Sequence, residues 1–292
     1  MKPSRFRYFL ARSVDEAAQL LAEQGEEARV LAGGQSLMPL MNLRLARPSV
    51  LIDLNEISSL AYVRPWDGGL ALGAMTRDAD LERDALSAER LPLLIEAARH
   101  VGHPAIRNRS TVGGSVAHAD PAAELPAVML ALDAEMEVRG ASGSRTIAAR
   151  EFFRGPFQTS MQHGEILTEV RVPGLPSRSG SAFMEFARRE GDYALVGVAA
   201  VVALDEDGSI ASARLGLCSV GQTPVRASAA EALLKGKRPE REAWRVAAEA
   251  VIDALNEPPS DIHGSADYRR HLAGVMTQRA LALAAERAER NR

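Results

Sequence analysis

Two segments about 80 residues apart share one design, an apolar run that ends in a glycine pair followed by a hydroxyl or amide side chain. The first is Val30-Leu31-Ala32-Gly33-Gly34-Gln35-Ser36 and the second is Ser110-Thr111-Val112-Gly113-Gly114-Ser115. Adjacent glycines reach backbone angles closed to other residues and leave no Cβ between chain and ligand. Several amide N–H groups can then converge on one concavity that accepts anionic oxygens, more so where a helix N-terminus follows. Two such turns in one domain suit the two phosphates of a dinucleotide. Glycine pairs are also ordinary turn formers, and the spacing alone leaves the two readings even.

The first half of the chain alternates short apolar runs with helical patterns, as α/β and α+β proteins do. The pattern predicts strands over residues 28–32, 49–54, 70–75, 135–139 and 166–172. Ser36 is placed to cap a short helix reaching residue 43, and Thr76, with Asp78 and Asp80 behind it, to cap another. A helix over 91–100 is closed by Gly102 and Pro104. Residues 110–114 read as a strand or turn running into glycines, and a helix follows from Pro121 to about 134. Residues 173–181 hold two prolines, two glycines and three serines, which makes them a linker. Beyond it, strands are expected over 182–188, 196–204 and 213–220, with a hairpin turn at Asp205-Glu206-Asp207-Gly208. Helices follow over about 227–235, 240–255 and 266–290. The expected architecture is α+β, with one domain over 1–175, subdivided near residue 56, and a second over 176–292. The second is read as a three-stranded antiparallel sheet packed on a helical layer.

Several functions are disfavoured. The net charge of -3 offers no overall attraction to nucleic acid or an anionic membrane. No apolar run approaches the roughly 18 residues of a membrane span, and the charged residues within the opening apolar stretch do not suit a signal peptide. Cys218 is the single cysteine, so no internal disulfide forms and no iron–sulfur cluster can be ligated here. A cytoplasmic protein is the simplest reading, and any redox group must be held without thiolates. Asp53 ends a strand 20 residues after Gly33, where a ribose-binding acid would stand. The G-x-G-x-x-G fingerprint is absent, however, and so is a G-x-x-x-x-G-K-[ST] phosphate loop, so Asp53 is read as a turn or capping residue. His100 and His103 are separated by helix-breaking Gly102, and no metal site is expected.

Other candidates have two readings each. Asp120 could cap the helix begun by Pro121. Glu124, a turn further on, could reach the same cap or a ligand hydroxyl, since a carboxylate would repel a diphosphate. Arg107 and Arg109 flank the second glycine turn and could meet phosphate or stay solvated. Only 4% of the chain is aromatic, so Tyr193, in a polar turn between strands, could stack on a planar ring or cover the core edge.

Taken together, Ala32-Gly33-Gly34-Gln35-Ser36, Thr111-Val112-Gly113-Gly114-Ser115 with Asp120-Pro121-Ala122-Ala123-Glu124, and Arg188-Arg189-Glu190-Gly191-Asp192-Tyr193 resemble a known family. They look like the FAD-binding medium subunits of the xanthine dehydrogenase and aerobic carbon monoxide dehydrogenase family, the molybdenum hydroxylases. The resemblance runs nearly the whole length, through Glu165-Ile166-Leu167 and the helical C-terminal region. It implies a vanillyl-alcohol oxidase-like fold, in which two α+β subdomains hold FAD between them ahead of a C-terminal domain.

By the same resemblance, residues 32–36 and 111–115 bind the diphosphate through backbone amides. Asp120 and Glu124 match positions near the ribityl and phosphate region. Tyr193 matches the aromatic beside the isoalloxazine, Val101 a position on its other face, and Leu167 a pocket residue. Gln35 stands where many relatives have histidine, and FAD binding is expected regardless.

The implied complex has a large molybdenum subunit and a small [2Fe-2S] subunit, two copies of each with two of this chain. Electrons would pass from the clusters to FAD and on to a quinone, a nicotinamide or another acceptor. No catalytic acid or base is expected in this chain. The rival readings are a stand-alone FAD oxidase or dehydrogenase and a non-catalytic nucleotide-binding protein.

Overall fold

The computed structural model describes residues 2–291, so Met1 and Arg292, the outermost residues of the two expected domains, lie outside the described residues. Strands β1 (Arg7–Leu10), β2 (Ala28–Leu31) and β3 (Val50–Asp53) form a parallel sheet in the order β1-β3-β2. Parallel neighbours need crossover connections, supplied by α1 (Val14–Gln24) and α2 (Leu37–Asn42). Ser13 caps α1 by accepting from the Glu16 amide, and Ala17, Ala18 and Leu21 bury against Val50 and Ile52. The apolar pattern gives no sign of β1, whose residues are mostly exposed and interleaved with arginine. The first glycine loop leaves β2 at the carboxyl edge of this sheet, where parallel sheets gather ligands.

A second sheet has the order β4-β5-β10-β6-β7 and is antiparallel throughout. Its strands are β4 (Val63–Trp66), β5 (Gly69–Gly73), β6 (Glu135–Gly140), β7 (Gly143–Ala148) and β10 (Ile166–Val172), with a small hairpin of β8 (Phe153–Gly155) and β9 (Gln158–Thr159) inserted. Between β5 and β6 run α3 (Asp78–Arg83), α4 (Ala85–Arg90), α5 (Pro92–His100), α6 (Pro104–Arg107), α7 (Val112–His118) and α8 (Glu124–Ala131), and α9 (Ala149–Phe152) follows β7. Leu72, Leu94, Val116, Met129, Met136 and Val170 share the core between this sheet and its helices.

Local details differ from the sequence pattern for identifiable reasons. The second glycine pair lies inside the first turn of α7, with Thr111 as its N-cap, rather than at the end of a strand. The helix expected from Pro121 begins at Glu124, because Asp120 Oδ1 accepts from the Ala122 amide and its carbonyl from that of Ala123, closing a turn first. Thr76 does not cap α3. Its hydroxyl accepts from the Tyr62 amide and donates to the Tyr62 carbonyl. Ser36 occupies the N-cap position of α2 without a side-chain bond to it.

The C-terminal region carries β11 (Ser179–Ala187), β12 (Ala194–Leu204) and β13 (Ile210–Cys218), antiparallel neighbours in that order, with β14 (Val225–Arg226) at the edge. Helices α10 (Ser228–Leu234), α11 (Arg241–Ala254) and α12 (Ala266–Arg290) complete it. Strand β12 is buried at every residue, which means that both faces of the sheet are covered. Val198, Ala200 and Val202 pack with Leu272, Leu281 and Ala284 of α12, whereas Phe183, Ala199 and Val201 join the core that includes α8. Gly216 of β13 approaches the Ala127 carbonyl so closely that a Cβ would overlap it. Helix α8 is thereby fixed between two sheets. Among the described residues no helix is long and apolar enough to cross a membrane.

Candidate functional site

The two glycine loops meet. A Cβ on Gly33 would overlap the Arg109 carbonyl and lie 2.6 Å from Ser110 Cα, and one on Gly114 would lie 3.6 Å from Ala32 Cβ. Gly34 has φ +75, the left-handed region that favours glycine. This conformation turns the chain sharply after β2. Among the described residues, the amides of Gly33, Gly34, Gln35, Ser36 and Leu37 donate to no protein acceptor. Five consecutive free amides at the edge of a parallel sheet form a cradle for anionic oxygens. The Gln35 side chain folds back onto the Gly33 carbonyl at 3.1 Å, so it shapes the loop.

The second loop is built differently, and the expectation of a second amide cradle is corrected. The Val112 amide donates to the Thr76 carbonyl, Gly113 to Ala74, Gly114 to Thr111 Oγ1 and Ser115 to the Thr111 carbonyl. Of this stretch only the Thr111 amide is left over among the described residues. Val112 is fully buried in the core and does not line the cleft. Gly113 has no Cβ because Ala74 fills that space. The second glycine pair thus permits close packing of α7 on the strand end.

Both loops open onto a cleft of about 720 Å³, within the usual size range of small-molecule and cofactor sites. Ala32, Gly33, Gly34, Gln35, Ser36, Val101, Thr111, Gly113, Gly114, Ser115, Asp120, Glu124, Leu167 and Tyr193 all line it. Tyr193 is 68% exposed and stands at the mouth. Leu167 is buried in the wall.

The cleft is acidic at depth. Burial pushes the Glu124 carboxyl up to about 8, with the charges of Glu185, Asp78 and Asp120 adding to it. Asp78 is raised by burial to about 6, although the Ser110 hydroxyl, Arg107 and Arg77 pull the other way. Its Oδ2 accepts from Ser110, while Oδ1 is buried and without a partner among the described residues. Glu124 is therefore protonated at neutral pH and able to donate a hydrogen bond. A free amide cradle, a protonated carboxyl and an unpaired carboxylate oxygen fit a ligand with anionic groups at one end and hydroxyls beyond.

Some site residues carry no clear signal in the sequence. Asp78 looks like a first-turn helix acid, and nothing local shows that it faces a cleft. His118 lines the wall, and burial lowers its pKa. Its ring lies 5.0 Å from that of Phe157, which reaches the cleft from the β8–β9 turn. Arg107 is no phosphate ligand here. It pairs with Glu82 at 3.0 Å and donates to the Gly102 carbonyl. Asp53 closes a turn with the Asn55 amide at 2.8 Å and takes a bond from Tyr8 at 2.7 Å, so it is a turn residue outside the cleft lining. Among the described residues no group of three or more His, Cys, Asp or Glu could hold a metal ion.

Comparison with known proteins gives a consistent picture. Residues 4–175 match the model for the FAD binding domain in molybdopterin dehydrogenase, and residues 181–284 that for the CO dehydrogenase flavoprotein C-terminal domain. The 6-hydroxypseudooxynicotine dehydrogenase complex subunit alpha of Paenarthrobacter nicotinovorans is 46% identical, over 99% of this chain and 97% of its own. The carbon monoxide dehydrogenase medium chain of Hydrogenophaga pseudoflava is 40% identical, over 96% of this chain and 97% of its own. A solved carbon monoxide dehydrogenase from that organism superposes with a TM-score of 0.95 at 41% identity, covering 98% of this chain and 99% of the other. Quinoline 2-oxidoreductase from Pseudomonas putida 86 superposes at 0.93 with 40% identity, covering 99% of each chain.

Proposed function

Since the chain belongs to the family of FAD-binding medium subunits of the molybdenum hydroxylases, and is an oxidoreductase subunit, we propose that it relays electrons from an iron–sulfur partner to an external acceptor through FAD in the cleft. The observation that carries this reading is the row of five free amides from Gly33 to Leu37 facing a cleft with a protonated carboxyl. Bound there, FAD supplies a carrier that exchanges electrons singly or in pairs.

The chain's own groups have separable tasks in this proposal. The amides of residues 33–37 hold the diphosphate, and Ala32 and Ser36 shape the ends of that loop. Thr111, Gly113, Gly114 and Ser115 form the opposing wall, with Val112 anchoring it from the core. Asp120, Glu124 and the unpaired Asp78 oxygen meet ribityl or ribose hydroxyls. Tyr193 and Val101, both on the cleft wall, would flank the isoalloxazine, and Leu167 would close the apolar wall. Together they would exclude water around the ring.

The partners are a large molybdenum subunit and a small [2Fe-2S] subunit, two copies of each with two of this chain, in the cytoplasm. Relatives are named for complexes of this type, acting on carbon monoxide or on N-heterocycles such as quinoline. The substrate is chosen by the large subunit, outside this chain. Purified chain is expected to be yellow and to bleach with dithionite. A colourless chain that takes up no added FAD would sink the proposal.

A further inference from the structure

Tyr193 is 68% exposed, so little packing holds its ring at the mouth of the cleft. The backbone on either side of it is held instead. On the N-terminal side, Gly191 has φ +81 and lies against the imidazole of His103, where a Cβ would come within 2.3 Å of Cε1 and 2.4 Å of Nδ1. The Asp192 amide donates to the Arg189 carbonyl at 3.2 Å and closes the turn before Tyr193. On the C-terminal side, Ser219 Oγ donates to the Ala194 carbonyl at 2.6 Å in a buried setting. The next carbonyl, that of Leu195, accepts from Arg269 at 2.7 Å.

Both anchors lead to segments that line the cleft. His103 directly follows Val101 and Gly102, which are part of the wall. The Ser219 amide donates to the Pro121 carbonyl at 2.8 Å, and Pro121 follows Asp120, another wall residue. Tyr193 lies in the C-terminal region matched over 181–284, whereas Val101 and Asp120 lie in the region matched over 4–175. Ser219 has φ +62 and is 3% exposed. A non-glycine residue persists in that conformation only where its surroundings over-determine it. Here one serine serves two carbonyls, Ala194 through its hydroxyl and Pro121 through its amide. Phe183, Ala199 and Val201 already pack the C-terminal sheet into the core around α8, so joining the two regions does not depend on these contacts.

We propose that His103 and Ser219 are positioning residues that clip Tyr193 to the cleft wall and set the gap into which a planar ring fits. The proposal rests on the reading of the cleft as a flavin site. His103 fixes the chain two residues before Tyr193 and itself stands two residues after Val101, so it couples the two residues assigned to flank the ring. Ser219 ties the residue after Tyr193 to the wall beside Asp120. Neither His103 nor Ser219 lines the cleft, so each acts through Tyr193 and not on the ligand. With both ends pinned, the phenol moves only by rotation about its own side-chain bonds. Freed at His103, the loop pivots at Gly191 and carries the phenol away from the ring. An aromatic group held in place beforehand loses less freedom on binding, so the clip strengthens binding without touching the ligand.

The test uses the full chain loaded with FAD and freed of excess by gel filtration, with the fluorescence of the bound flavin as readout. His103→Ala, at an exposed position, is expected to raise that fluorescence toward the level of Tyr193→Ala and to weaken FAD binding about threefold. His103→Phe keeps a flat ring against Gly191 and should restore the parental quenching. Ser219→Gly removes the hydroxyl and relieves the backbone strain, so it should raise the fluorescence while the apo chain melts close to the parental temperature. In a Tyr193→Ala background neither change should alter the fluorescence further, because no phenol is left to position. A purely structural role would move it in both backgrounds. If Ser219→Gly does not fold, His103→Ala carries the test. Parental fluorescence in His103→Ala, or in a folded Ser219→Gly, overturns the clip. So does a rise that His103→Phe shares or that Tyr193→Ala does not abolish. A parent chain that holds no FAD instead overturns the proposed function and, with it, the clip.

Discussion

The Asn55 side-chain amide donates to the Ala32 carbonyl at 3.0 Å and so ties the end of β3 to the start of the first glycine loop. The same amide donates to Asp53 Oδ1, and Asn55 Oδ1 accepts from Arg77 at 2.5 Å. Arg77 in turn donates to the Arg109 carbonyl, against which Gly33 packs. One exposed asparagine thus links both loops, through its own side chain and that of Arg77. Asp53, Asn55, Arg77 and Arg109 are not among the residues that line the cleft.

Asn55→Ala should therefore loosen the loop without unfolding the protein. Two to three hydrogen bonds are lost at an exposed site, and each contributes about 1 kcal/mol. FAD affinity is expected to fall about tenfold, with the melting temperature of the apo chain lowered by about 2–4 °C for each kcal/mol lost and the fold retained. Titration of apo protein with FAD, followed by flavin fluorescence, measures the first. Parental affinity in the variant would remove the clamp from the account.

Gly33→Ala tests the contact between the loops directly. Gly33 does not have a positive φ, so the backbone conformation tolerates alanine and space alone forbids it. The added methyl would meet the backbone of Arg109 and Ser110, which cannot swing away as a flexible side chain could. Separating the loops should abolish FAD retention through gel filtration and cost about 1–3 kcal/mol of stability. A yellow Gly33→Ala protein would show that the loops need not touch to hold the cofactor.

These contacts mark the limit of what the sequence discloses. Gly33 and Gly113 are visible as candidates because a glycine pair after an apolar run is a local signal. Which partner requires each of them is not local, since Gly33 meets Arg109 and Gly113 meets Ala74. The unbroken apolar run of β12 and the Pro-, Gly- and Ser-rich stretch that leads into β11 show in composition, and so the C-terminal sheet is readable. Strand β1 is not, because its pattern is mostly exposed. Helix α1 carries its own start signal, Ser13 with Asp15 and Glu16, which a search for apolar runs alone passes over. The Asn55–Arg77 clamp and the buried face of Asp78 depend on chain segments far apart in sequence, and no periodicity encodes them.

Tyr193 offers a test of the proposed ring site. It is 68% exposed at the cleft mouth, so removing its ring leaves no cavity in the core. Stacking between aromatic systems is worth about 0.5–1.5 kcal/mol beyond area burial. Tyr193→Ala should weaken FAD binding by about three- to tenfold and raise the fluorescence of bound flavin, since a stacked phenol quenches it. Unchanged fluorescence at saturation would move Tyr193 away from the isoalloxazine.

Glu124 predicts how stability varies with pH. Its carboxyl is raised from an ordinary 4.5 to about 8, mainly by burial. The folded protein therefore binds a proton that the unfolded chain has released between these values. Stability must fall as pH rises through that window, by up to 1.36 kcal/mol per pH unit and a few kcal/mol in total. Asp78 acts with the same sign but over a lower window, from 3.8 to about 6. Between about pH 6 and 8 the slope then belongs to Glu124 together with His100, whose pKa is raised from 6.5 chiefly by the Glu185 carboxylate. Glu124→Gln keeps the shape and the hydrogen-bond donor without the charge, and should flatten the melting temperature of the apo chain over that range. The part below pH 6 should remain. Melting curves at half-unit pH steps decide it, and parallel curves for parent and variant from pH 6 to 8 would show that Glu124 is ionised at neutral pH after all.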